Sequence, residues 1–150
     1  MPDPIPYFDG HNDALLRLYL DQSGTAIETF LRGGGNGHLD LPRAKAGNFV
    51  GGLFATFSPP AKKTDFTNPE AGLDPSLPPL LPPTEAWASI LGESAILFRL
   101  IAASEGALVL CRSVAEIRAA VAEGKIAMVF HIEGADALDA DFQLLDVLYA

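Results

Sequence analysis

The run Lys125–Ile132, KIAMVFHI, limits the possible folds more than any other part of the chain. It is apolar almost throughout, and a short run without polar alternation describes a strand buried on both faces. Such strands belong to parallel sheets covered by helices, so the flanking segments should supply helical crossovers. They do: Ser113–Glu123 reads as a helix with Ser113 at its N-cap, Glu116 at the capping-box spacing and Gly124 as its stop. Beyond the strand, Asp139 or Asp141 opens a last helix through Phe142, Leu145 and Leu148.

The same alternation runs through the rest of the chain. Ile5–Asp9 reads as a short buried strand, followed by a helix over Asp13–Asp21 carrying Leu15, Leu16, Leu18 and Leu20. Phe49–Phe57 and Ala107–Cys111 are further strands. Trp87, Ile90, Leu91, Ala95, Leu97, Phe98 and Ile101 mark a long amphipathic helix with Thr84 near its N-cap. Between Ser58 and Pro83, eight prolines predict an irregular loop. Gly33–Gly37 is a second loop, without the Lys-Ser/Thr pair of a phosphate-binding loop. Alternating strands and helices give an α/β fold with a parallel sheet and right-handed crossovers.

Two strands end in groups that bind metals, and parallel α/β folds place their chemistry at the carboxyl ends of strands. The first ends in His11-Asn12-Asp13, whose period-two spacing puts a histidine and a carboxylate on one face. Another ends in Phe130-His131-Ile132-Glu133-Gly134. His11, Asp13 and Glu133 would give three protein ligands and leave a position for water, the arrangement of catalytic zinc. Asp9 shares their face and is either a further ligand, an acceptor for the His11 ring or a carboxylate with a backbone partner. For His131, a hydrogen-bonded strand histidine is favoured over a ligand. His38 reads as a loop histidine bonded locally.

Composition narrows the partners. The net charge of −9 argues against nucleic acid or an anionic membrane. A hydrophobic content of 49% excludes overall disorder, and the mean hydropathy of +0.22 is high for a small soluble domain, as if some apolar surface awaited a cover. The lone Cys111 lies in an apolar run and reads as a buried structural thiol. Met1-Pro-Asp-Pro-Ile-Pro has no signal-peptide character, and no apolar run of membrane-spanning length is evident. These features lead to the expectation of a cytoplasmic protein.

The chain resembles the membrane (renal-type) dipeptidases, zinc metallopeptidases that hydrolyse dipeptides. The resemblance rests on Asp9-Gly-His-Asn-Asp13, Leu39-Asp-Leu-Pro-Arg-Ala-Lys-Ala-Gly47, Val50-Gly-Gly-Leu-Phe54, Glu123-Gly-Lys-Ile-Ala127 and Ile132-Glu-Gly134, in the family's order across nearly the whole chain. It implies a (β/α)8 TIM-type barrel with a binuclear zinc site, of which this chain would hold the N-terminal portion, about three βα units. It implies further that His11 and Asp13 bind the first zinc and that Glu133 bridges both and is catalytic. A bridged water would then attack the dipeptide carbonyl.

One departure accompanies that match. The family's second zinc takes two later histidines, and neither His38 nor His131 falls where they belong. A (β/α)8 barrel needs ~250 residues, so residues 1–150 are expected to form an incomplete metallo-dipeptidase barrel domain, inactive in isolation. Two alternatives stand beside a dipeptidase: a non-catalytic fragment binding at most one metal, and another metal-dependent amidohydrolase, against which the Asp13 of HxD counts. Homo-oligomer formation is left open.

Overall fold

The protein is described by a computed structural model that covers residues 5–59 and 81–149. The proline-rich loop expected between Ser58 and Pro83 therefore lies mostly outside the described residues. A four-stranded parallel sheet forms the centre, in the order β1-β2-β4-β3. The strands are β1 (Tyr7–Asn12), β2 (Phe49–Phe57), β3 (Leu108–Leu110) and β4 (Ile126–Glu133). Three of them are long, in keeping with about three βα units of a partial barrel. β3 is short and pairs only with the start of β4, from Leu108 opposite Ile126 to Leu110 opposite Met128. The sheet therefore departs from a simple succession of strands, because β4 is inserted between β2 and β3.

Helices cover both faces, as the apolar run of β4 requires. On one face, α1 (Ala14–Tyr19) and α4 (Pro83–Ala103) bury Leu15, Leu18, Leu97 and Leu100 with Phe54 and Met128. On the other, α5 (Val114–Ala122) sets Ala120 with Cys111 and Ala127, flanked by Ile117, Val109 and Val129. Cys111 is buried as expected, and burial holds its thiol above the ordinary range. Along β4, period-two counting places Ala127, Val129, His131 and Glu133 on the α5 face. α5 packs against the first two of these.

Several sequence expectations need correction. β1 begins at Tyr7, runs on to Asn12, and is not buried: Tyr7 and Phe8 are 48% and 41% exposed. Its outer edge has no neighbouring strand among the described residues, so apolar content alone could not establish burial. Two helices were not foreseen, α2 (Ala26–Arg32) and α3 (Leu41–Ala46). The N-cap of α4 is Pro82 rather than Thr84, with Pro83 opening the first turn, where its fixed φ and missing N–H cost nothing. At 21 residues α4 is also long and apolar enough to pass for a membrane span, contrary to expectation. In this fold one of its faces lies in the core, where Ile90, Leu97 and Leu100 are buried.

Other local predictions hold. The capping box of α5 is complete, with Ser113 Oγ accepting from the Glu116 N–H and the Glu116 carboxylate accepting from the Ser113 N–H. The last helix, α6 (Gln143–Tyr149), is opened by Asp139, whose carboxylate accepts from the Gln143 and Leu144 N–H groups. Those two bonds, Leu144 foremost, hold the Asp139 carboxyl below the usual range.

Candidate metal centre

The end of β1 is irregular. Asp9 opposes Gly52 and Asn12 opposes Phe54, so β1 spends three steps where β2 spends two. One extra residue on a strand is a β-bulge, which re-aims the side chains beside it. The bulge is held by Asp9, whose Oδ1 accepts from the His11 N–H and whose Oδ2 accepts from Asn12 Nδ2, both at 3.2 Å. Asn12 Nδ2 also donates to the Leu53 carbonyl of β2, and Asn12 Oδ1 accepts from the Ala14 N–H at the start of α1. Of the three readings open for Asp9, the structure shows the backbone partner. Asp9 and Asn12 shape the turn that presents His11 and Asp13.

His11, Asp13 and Glu133 meet above that turn. His11 Nε2 lies 3.2 Å from Asp13 Oδ1 and 3.4 Å from Glu133 Oε2, and one ligand atom from each residue falls within 4.8 Å of the others. All three side chains are exposed. Asp13 stands at the N-cap position of α1, yet its side chain makes no capping bond, which leaves both oxygens outward. Two carboxylates around one imidazole repel unless a cation lies between them. One nitrogen and two oxygens suit a zinc ion with an open position. The donor set therefore fits the metal, and it is the one such cluster among the described residues.

His131 does not join the cluster. Its ring meets the His11 ring edge-to-face with centroids 5.6 Å apart, so it limits where that imidazole can turn. His38, in the loop before α3, lies outside the cluster as expected.

The other motif segments prove architectural. Asp40 is buried and caps α3 by accepting from the Arg43 N–H at 2.9 Å, while its other oxygen pairs with Arg43 Nε at 3.3 Å. Arg43 also donates to the Gly37 and Gly35 carbonyls, and Arg17 donates to those of Asn36 and Leu39. The LDLPR segment thus fastens the glycine loop. In VGG, a Cβ at Gly51 would lie 2.5 Å from the Ala127 carbonyl oxygen and 2.8 Å from Phe8 Cε2, so β2 can sit between β1 and β4 only without one.

Sequence reasoning missed Glu93. It is fully buried on α4, and its Oε2 accepts from the Phe57 N–H at 3.2 Å. Burial pushes its carboxyl up to about 7, against the Phe57 bond that lowers it and with the Asp13 charge that raises it further. The signal was readable: Ala86, Ile90, Glu93, Leu97 and Leu100 form one buried stripe, and an acid within such a stripe calls for a partner.

Comparison with known proteins gives the family to which the chain is similar. The membrane dipeptidase family, peptidase family M19, matches residues 2–150. An uncharacterized protein of the PQQ-III 3' region of Acinetobacter calcoaceticus is 36% identical over 148 residues, 99% of this chain and 46% of that protein. Among solved structures, dipeptidase AC, a family M19 metallopeptidase, superposes with a TM-score of 0.84 at 36% identity, over 98% of this chain and 40% of that one. A metallopeptidase of Rhodobacter sphaeroides, liganded with a phosphinate mimic of the dipeptide L-Ala-D-Ala, gives 0.87 at 38% identity, over 98% and 43%. The chain thus spans less than half the length of each of these relatives. With the family matched from residue 2 to residue 150, this chain belongs to the membrane dipeptidase family, the M19 metallopeptidases.

Proposed function

We propose that the chain carries the His11, Asp13 and Glu133 portion of a zinc centre that hydrolyses dipeptides. The observation that carries this reading is the convergence of those three donors at the carboxyl end of a parallel sheet. His11 would give a ring nitrogen and Asp13 an oxygen to one ion. Glu133 turns Oε2 toward His11 and has a second oxygen, so it would serve as the bridging and catalytic group if two ions were held. Zinc held there supplies Lewis-acid polarisation of a carbonyl and a lowered pKa for water. The residues themselves do the positioning: Asp9 and Asn12 fix the bulge, and the His131 ring limits rotation of His11. The exposure of all three side chains leaves the cluster open to a small substrate. A dipeptide such as L-Ala-D-Ala is the substrate class, as mimicked in the Rhodobacter sphaeroides relative.

A second reading concerns the 150-residue chain by itself. The described residues hold one cluster of three donors, so on those residues the chain holds at most one metal and needs further ligands to turn over dipeptides. The family match favours a dipeptidase over the alternative of another metal-dependent amidohydrolase. Zinc titration joined to an L-Ala-D-Ala hydrolysis assay tests both readings. One tight equivalent without turnover is expected. Two tight equivalents, or turnover abolished by Glu133→Gln, would overturn the single-metal reading, and no zinc binding at all would overturn the metal centre.

A further inference from the structure

We propose that Glu93 is a positioning residue for the metal centre, holding the rung of the sheet on which Glu133 stands. The inference rests on the metal-site reading of Glu133. In the β2–β4 ladder, Phe57 is the register partner of Glu133, and this is the last rung. β1 ends opposite Phe54, so β2 runs on beyond it without a strand on that side. There the Glu93 carboxyl, projecting from α4, takes the Phe57 N–H. The next residue is tied to the same helix, with Ser58 Oγ donating to the Ala86 carbonyl. Trp87 Nε1 donates to the Ala137 carbonyl beyond β4. One turn after another, α4 thus fastens the chain leaving both strands that frame the site.

The cost of this arrangement argues for a role beyond packing. Glu93 Oε1 is buried with no hydrogen-bond partner among the described residues, and a buried polar atom left unsatisfied destabilises a fold. A leucine would fill the same apolar stripe without the unsatisfied oxygen, but would leave the Phe57 N–H without its acceptor. Of the charged groups on the elements packed against α4, namely Asp13 and Arg17 at α1 and Glu28 and Arg32 on α2, only Asp13 acts on the Glu93 carboxyl. Glu93 is coupled to the cluster through the Phe57 rung.

The test compares Glu93→Leu and Glu93→Gln with the wild-type 150-residue chain. Zinc affinity, melting temperature and hydrogen exchange of the Phe57 and Glu133 amides are measured, exchange being read without metal. Glu93→Gln keeps an acceptor for Phe57 and should bind zinc within about twofold of wild type. Glu93→Leu should lose about tenfold or more, the scale of groups that orient metal ligands, and expose both amides, while its melting temperature changes little, one unsatisfied group replacing another. Affinity that simply follows melting temperature, or unchanged amide protection in Glu93→Leu, would overturn the proposal. If the wild-type chain binds no zinc, the metal-site reading itself fails, and the exchange data still decide whether Glu93 holds the rung.

Discussion

His11 Nε2 lies 3.4 Å from Glu133 Oε2 although their strands are not neighbours, since β2 runs between β1 and β4. Adjacent strands are ~4.8 Å apart, so the two backbones stand roughly 10 Å apart and the side chains must meet over β2. Ala55 makes room: it opposes His131 in the ladder, is fully buried, and offers only a methyl group on the face they share.

Ala55→Leu should therefore separate the ligands. Three added carbons have no free space there, and overpacking of this kind costs ~1–3 kcal/mol. Zinc affinity should fall more than stability alone explains, because the contact of the His11 and His131 rings is displaced. Ala55→Gly, measured beside it, should keep near-normal affinity. Equal affinity in all three proteins would show that the crossing does not depend on a small residue.

Gly51→Ala should be among the most damaging single substitutions in the sheet. The new Cβ would meet the Ala127 carbonyl oxygen at 2.5 Å and Ala127 Cβ at 2.9 Å. These atoms belong to the body of β4 and cannot swing aside like the end of a flexible side chain. A loss of ~1–3 kcal/mol or more is expected from denaturant unfolding. Gly10→Ala is the control, since a Cβ there meets nothing within 4 Å; comparable losses in both would rule out the close approach as the cause.

How much of this was legible in the sequence follows from the range of each interaction. Ser113 with Glu116, or Asp139 before α6, are local devices complete within a few residues, and they stand where the pattern put them. The convergence of His11 and Asp13 with Glu133 needed the parallel pairing, which the apolar run of β4 implied. The apolar stripe of α4 marks Glu93 as a buried acid, but not its partner, the Phe57 N–H 36 residues away. α3 has a local signal in Asp40 and Pro42, the N-cap and early-proline pattern of a helix start, within a segment that also carries the family motif. Exposure of Tyr7 and Phe8 depends on which edge of the sheet is uncovered, a property of the assembled fold.

Metal should stabilise the chain measurably. A ligand that binds only the folded form adds about 2.7 kcal/mol at a hundredfold excess over its Kd. The melting temperature should rise on adding zinc, and return on chelation. Asp13→Asn should abolish most of the increase while leaving the metal-free melting temperature near wild type, since the Asp13 side chain makes no capping bond to α1. An undiminished increase in Asp13→Asn would remove Asp13 from the ligand set.

Glu93 should give the fold a characteristic pH dependence. In the unfolded chain its carboxyl titrates near 4.5, and in the folded protein burial, the largest cause, pushes it up to about 7. Below 4.5 it is protonated in both states and costs nothing by ionisation. Between about 4.5 and 7 the folded state holds the proton that the unfolded state has released, so stability falls as pH rises. Above 7 the carboxyl is ionised in both states, and the loss levels off at no more than about 3 kcal/mol. Glu93→Gln cannot ionise there, so the difference between the two chains isolates the Glu93 carboxyl. Denaturant unfolding of the two chains from pH 4 to pH 8.5 should show the wild type losing ground to Glu93→Gln across that window and holding level beyond it. A difference that stays constant with pH would mean that Glu93 keeps an ordinary carboxyl in the folded protein, and the buried, half-satisfied acid beneath the metal centre would then have to be solvated.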